Sequence, residues 1–114
     1  WAERTGGLPL PLGGNIVRRD LGRDVCKLVT QHVKMSIESA ISNPEDGLAF
    51  AIEWGRGIDE ETNEEFVQMY VNERTIDYGP EGRESVRLFL KEGQKIGMIR
   101  EDLDVDALEF IGAE

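Results

Sequence analysis

The sequence predicts a mainly α-helical chain in which about four helices follow one extended strand or crossover. Pro9 and Pro11 each fix φ at about −65° and remove a backbone donor, so the segment around them cannot be helical. From Arg23 onward, apolar residues recur instead at spacings of three and four, the period of an amphipathic helix. Capping residues and glycines divide this long region into separate helices.

The chain opens with the end of a helix, residues 1–5, for which Gly6 is the expected C′ residue. The sequence does not begin with Met, and we expect it to be cut from something longer. The extended segment follows at residues 8–19, where leucines alternate with the prolines and so point to one face.

The proline half of the extended segment lacks the N–H groups that an interior strand needs. We therefore expect it to be an edge strand or a crossover, with strand pairing resuming at residues 15–18. Gly13 and Gly14 form the joint between the halves, and without Cβ atoms they permit close approach by a backbone or a ligand. A structural crossover and a ligand-contacting loop are both compatible with this pattern.

The helices are predicted at residues 23–42, 44–54, 60–73 and 81–96. Asn43 and Pro44 supply an N-cap and an N1 proline for the second helix, Asp59 is the N-cap of the third, and Gly97 stops the fourth. The tail, residues 98–114, alternates acidic and apolar residues and has room for one more short helix.

Apolar residues on these helices indicate which faces are buried. The first helix carries a stripe of Val25, Leu28, Val29, Val33, Ile37, Ala40 and Ile41. The second helix is apolar on most of its circumference, so we expect neighbouring elements to pack against it on several sides. On the fourth helix, the residues expected to face inward are Val86, Phe89, Leu90 and Ile96.

Composition limits the class of protein. With 114 residues, 39% of them hydrophobic, the chain suits one unit, residues 1–114, with a modest core. The net charge of −10 argues against nucleic acid or an anionic membrane surface as a partner. The last fourteen residues hold six acids and no Lys or Arg, and we expect residues 101–114 to contribute little to any active site.

Reactive side chains are scarce. Cys26 forms no internal disulfide and suits a reducing compartment, and we interpret it as a small residue on a helix flank. His32 has no metal-ligand spacing around it and is likewise assigned to a flank, without a role. No apolar run approaches the length of a membrane span or forms a signal peptide, and we expect a cytoplasmic protein without a metal or cofactor.

Two stretches carry a resemblance to a known family. Residues 1–13, WAERTGGLPLPLG, continued by IVRRDLG at 16–22, resemble the 1,4-dihydroxy-6-naphthoate synthases of the futalosine pathway of menaquinone biosynthesis. MYVN at 69–72, TIDYG at 75–79 and GRE at 82–84 are similar to the C-terminal helical region of that family. The resemblance covers nearly all of residues 1–97.

The resemblance implies a parent with an α/β, two-lobed fold like the type II periplasmic binding proteins, with the active site between the lobes. This chain would be its C-terminal part, and residues 8–19 would be the return crossover and strand. The implied reaction, that of a carbon–carbon lyase, converts cyclic dehypoxanthinyl futalosine to 1,4-dihydroxy-6-naphthoate with loss of a carbon fragment. The family's histidine general base lies before the crossover, and His32 does not match it. No catalytic residue is therefore carried over, and the chain alone is expected to be inactive.

What the resemblance does carry over is one wall of the substrate cleft. The residues expected to line it are Leu10, Pro11, Leu12, Gly13 and Gly14. Apolar side chains and open glycine backbone suit a flat aromatic molecule, and the implied substrate is a small aromatic carboxylate. We expect no nucleic-acid or membrane partner. An unpaired edge at residues 15–17 predicts a homo-oligomer or association with the N-terminal part of the parent.

Three other interpretations stay open. Chorismate dehydratase, the sister enzyme, shares the implied fold but differs where this chain has Leu-Pro-Leu-Pro-Leu-Gly. A solute-binding lobe of the same fold would bind without chemistry, and a stand-alone helical module would use its apolar faces for protein contacts.

Overall fold

The structure is a computed structural model that describes residues 1–55, 57 and 59–112, with backbone alone for Glu60. Its helices are α1 (Ala2–Thr5), α2 (Arg23–Ser42), α3 (Pro44–Trp54), α4 (Glu60–Tyr70), α5 (Glu73–Ile76) and α6 (Gly79–Lys95), with a 3₁₀ turn at Arg19–Leu21. The mainly helical class is confirmed. None of the helices in these ranges combines the length and apolarity that crossing a bilayer requires.

Local signals set the ends of the first two long helices, and α2 and α3 match the predicted bounds at both ends. Asn43 separates them with φ −131° and ψ 70°, and Pro44 begins α3. The side-chain amide of Asn43 donates to the Ser39 carbonyl at 3.2 Å instead of capping α3. The predicted end of the first helical segment is also confirmed, because Gly6 adopts φ 71° after Thr5.

The third predicted helix is shorter than expected and is followed by an additional one. Asp59 caps α4 as predicted and accepts from the Thr62 N–H at 2.9 Å. The prediction that α4 continues to residue 73 is wrong, because Asn72 begins a new capping arrangement. Its side chain accepts from the Arg74 N–H at 3.0 Å, while its own N–H donates to Thr75 Oγ1 at 3.1 Å.

The strand expected at residues 15–18 is not formed, because the described chain contains no strand. Residues 7–18 carry no regular secondary structure, and Arg18 is extended with φ −69° and ψ 127°. A strand needs an extended partner to satisfy its backbone groups. The segments that follow in the described ranges are helices and turns, so they provide no such partner.

The described chain divides into two compact units. The first contains residues 1–15 and 78–111, and the second contains residues 16–77 together with Gly112. This division does not follow the order of the chain, which is why sequence patterns did not suggest it. That residues 1–114 form a single unit stays a prediction.

In the first unit, α6 is the central element. Arg4 of α1 pairs with Glu92 at 3.3 Å. On the C-terminal side, Lys91 pairs with Asp106 at 2.7 Å, and the buried Val105 anchors the tail. The described tail forms turns without the short helix for which the sequence left room, and its last two residues lie outside the described ranges.

In the second unit, α2 packs against α3, α5 and the 3₁₀ turn, and α3 packs against α4. The expectation that neighbouring elements pack against α3 on several sides is wrong, because Phe50 and Trp54 are exposed. Most of the α2 stripe is exposed as well, and in the first unit Phe89 of α6 and its C-cap residue Ile96 are also exposed. Helices that meet on one side only leave their remaining apolar faces uncovered.

Candidate functional site

Residues 8–14, which include the predicted cleft wall at residues 10–14, are held by side chains of the first unit. Thr5 Oγ1 accepts from the Leu8 N–H at 3.2 Å and donates to the Trp1 carbonyl at 3.0 Å. Ser85 Oγ of α6 donates to the Pro9 carbonyl at 2.5 Å. Because Pro9 lacks an N–H, side-chain bonds of this kind take the place of a strand ladder.

Trp1 contacts two residues of α6, Ser85 and Phe89. Its indole Nε1 donates to Ser85 Oγ at 3.0 Å, and its ring meets Phe89 edge-on at 5.6 Å between centroids. Ser85 is 0% exposed. The indole N–H only donates and the Pro9 carbonyl only accepts, so the direction of the chain Trp1 to Ser85 to Pro9 is fixed.

The outward surface of the segment is apolar. Leu10 and Leu12 are 51% and 46% exposed, Gly13 and Gly14 are also exposed, and Pro11 is half-buried. These five residues therefore offer leucine side chains and open glycine backbone, the chemistry expected of a wall for a flat aromatic ligand. That they line a substrate cleft stays a prediction.

Gly14 lies against a tyrosine. A Cβ built on Gly14 would be 3.0 Å from the hydroxyl oxygen of Tyr78, the N-cap residue of α6. The Tyr78 ring meets Phe110 edge-on at 6.0 Å. The contact explains why glycine suits this position, since any larger residue must displace the Tyr78 hydroxyl.

Among the described residues, the carboxyl groups with lowered pKa values have local structural causes. The pKa is lowered for four surface carboxyls by hydrogen bonds from a neighbour: Asp20 from Arg18, Asp59 from Thr62, Glu92 from Lys95 and Asp102 from Arg100. Each cause is a local ion pair or a helix cap, and both are ordinary structural features.

Cys26 and His32 are held by local contacts within the second unit. Cys26 is buried and its thiol donates to the Arg18 carbonyl at 3.4 Å, so its placement on a helix flank is corrected to an interior position. His32 is exposed, with Nδ1 2.8 Å from the Leu28 carbonyl one turn earlier. Across the described ranges, no three His, Cys, Asp or Glu side chains converge on a possible metal position.

Sequence reasoning missed four residues that support residues 8–14, namely Trp1, Thr5, Tyr78 and Ser85. Only Ser85 carries a signal, because it is a small polar residue on the apolar face of α6, four positions before Phe89. Such a residue needs a buried hydrogen-bond partner, which a sequence alone does not identify.

Comparisons with known proteins identify one family model and two relatives that this chain resembles. A family model described as menaquinone biosynthesis matches residues 1–95. A protein of Thermus thermophilus named 1,4-dihydroxy-6-naphtoate synthase is 35% identical over 98 residues, covering 86% of this chain and 36% of the relative. A Streptomyces coelicolor protein of the same name is 33% identical over 108 residues, covering 95% and 38% respectively. The chain thus spans little more than a third of the length of these relatives. No solved structure matches it significantly.

Proposed function

The chain belongs to the menaquinone biosynthesis family, and on this premise we propose that it forms part of a 1,4-dihydroxy-6-naphthoate synthase. The observation that carries the proposal is the family match over residues 1–95, which includes both the segment 8–14 and α6. Two curated relatives bearing that enzyme's name support it, at 35% and 33% identity.

In this proposal the whole protein is a carbon–carbon lyase that converts cyclic dehypoxanthinyl futalosine to 1,4-dihydroxy-6-naphthoate. The parent is two-lobed, with the substrate cleft between the lobes. Residues 10–14 form one apolar wall against the aromatic part of the substrate. The exposed leucines at positions 10 and 12 support this role, since apolar side chains with a few polar groups are typical of sites for aromatic ligands.

The general base is assigned to a part of the parent outside these 114 residues. His32, the only histidine, bonds to its own helix, and the thiol of Cys26 is buried. We therefore propose that the 114-residue chain alone is inactive. A cytoplasmic location is part of the same proposal and is supported by the unpaired, buried thiol.

The test uses the protein encoded by the complete reading frame. It is incubated with cyclic dehypoxanthinyl futalosine, and 1,4-dihydroxy-6-naphthoate is measured by liquid chromatography and mass spectrometry. Chorismate is the second substrate, and the 114-residue chain is the matched inactive control. We expect product from the complete protein with the first substrate alone. Turnover of chorismate would indicate the sister enzyme, and tight binding without product would indicate a solute-binding protein.

A further inference from the structure

We propose that Ser85 is a positioning residue that holds residues 8–14 in the conformation required of the substrate-cleft wall. The inference rests on the proposed function, because it takes residues 10–14 of this segment as that wall. Ser85 itself is fully buried and acts through the Pro9 carbonyl.

The extended segment has few backbone donors with which to hold its own conformation. Pro9 and Pro11 have no N–H, so half of the donors that normally fix an extended segment are absent between residues 9 and 12. Side chains of the first unit bind the backbone of this segment at two points, where Thr5 Oγ1 accepts from the Leu8 N–H and Ser85 Oγ donates to the Pro9 carbonyl. The bond from Ser85 ties the segment to α6.

Water cannot readily replace the Ser85 hydroxyl. Both of its hydrogen bonds are made in a position with no solvent exposure. Removing the hydroxyl leaves the Trp1 indole N–H and the Pro9 carbonyl without this partner, and unsatisfied polar groups in such a place favour a shift of the backbone. The movable backbone here is the proline segment, because the Ser85 backbone is fixed within α6.

Gly14, at the other end of this segment, lies against the Tyr78 hydroxyl. Tyr78 is the N-cap residue of α6, about two turns before Ser85, which bonds to Pro9. The segment is therefore bonded to α6 at Pro9 and packed against its N-cap residue at Gly14, with Leu10 and Leu12 between the two contacts. A change at either attachment should move the leucines relative to a bound ligand.

The test compares Ser85→Ala with Trp1→Phe in the complete enzyme. Both variants remove a hydrogen bond from the same buried group, but only Ser85→Ala breaks the bond to Pro9. We expect Ser85→Ala to raise KM about tenfold with kcat within about twofold, the pattern of lost uniform binding. Trp1→Phe keeps the Ser85–Pro9 bond, so it should lower the melting temperature but raise KM less than Ser85→Ala does. Ser36→Ala, an exposed serine of α2, is the matched control and should leave both constants unchanged.

A second pair of variants tests the other attachment and does not depend on Ser85→Ala folding. Gly14→Ala brings a methyl group against the Tyr78 hydroxyl, and we expect KM to rise about fivefold. Combining it with Tyr78→Phe removes the hydroxyl and should return KM to within about twofold of the Tyr78→Phe value.

The outcomes distinguish a failure of the positioning role from a failure of the proposed function. If the wild-type enzyme makes product and neither Ser85→Ala nor Gly14→Ala changes KM, the positioning role alone is overturned. Equal KM changes in Ser85→Ala and Trp1→Phe overturn it too, since they would reflect general loss of structure. A complete wild-type enzyme that makes no product overturns the proposed function and this inference together.

Discussion

The Ile99 side chain occupies the space that a Cβ on Gly93 would need, with its Cδ1 2.8 Å and its Cγ1 3.0 Å from that position. The Gly93 carbonyl also accepts from the Met98 and Ile99 N–H groups, at 2.9 and 3.2 Å. Ile99 therefore closes over the last turn of α6, and the missing side chain at position 93 permits it.

The first prediction follows from this contact. Gly93→Ala should lower the free energy of unfolding by about 1 to 3 kcal/mol, because overpacking outweighs the better helix propensity of alanine. Gly47→Ala in α3 is the matched control, because nothing lies within 4 Å of its Cβ position, and it should raise that free energy by about 0.5 to 1 kcal/mol. Urea unfolding of both variants measures the difference, and equal effects would contradict the argument.

The second prediction concerns the acidic tail, which sequence reasoning expected to contribute little to an active site. The tail is docked on α6, where the Arg87 guanidinium lies 4.9 Å from the centre of the Phe110 ring and donates to the Leu108 carbonyl at 3.2 Å. Deleting residues 101–114 from the complete enzyme should therefore lower its melting temperature while turnover of the folded enzyme stays near normal. A loss of about tenfold in kcat/KM, or about 1.4 kcal/mol, at a temperature where the variant is folded would contradict this.

The third prediction is a pH dependence at the start of α4. Hydrogen bonds from Thr62 lower the pKa of Asp59, so the folded state holds the proton of this carboxyl less readily than the unfolded state does. The stabilisation is complete at neutral pH and should be lost as pH falls through the ordinary aspartate range, about 4, and below. Helicity of wild type and Asp59→Asn, followed by circular dichroism, checks this, because asparagine caps without titrating. Identical acid profiles would refute it.

The fourth prediction concerns association of the 114-residue chain. Ile16 is 100% exposed in a segment that forms no strand, and several aromatic residues of α3 and α4 are exposed as well. We expect the isolated chain to self-associate, as uncovered apolar surface favours. Ile16→Lys should weaken association in sedimentation velocity, while Ser36→Lys, with the same charge change, should not. A monodisperse monomer at tens of micromolar would refute the prediction.

The sequence by itself determined the local features of this protein. Asn43 and Pro44 placed the boundary between α2 and α3 at the observed residues, and Gly6 and Gly97 adopt the positive φ expected after a helix. Such features depend on residues within one or two turns, so near-neighbour chemistry suffices to predict them. The resemblance that led to the menaquinone family was likewise present in the residues themselves.

Only the tertiary structure decided which distant residues meet. Ser85 and Pro9 are 76 positions apart, and nothing in either neighbourhood specifies their hydrogen bond. The same holds for Tyr78 beside Gly14 and for the burial of Cys26, which the sequence suggested lay on a flank. The expected strand at residues 15–18 did not form for a related reason, because pairing requires a partner that the described chain does not supply. Contacts between distant segments are selected by how helices and turns pack in three dimensions, which local propensity does not encode.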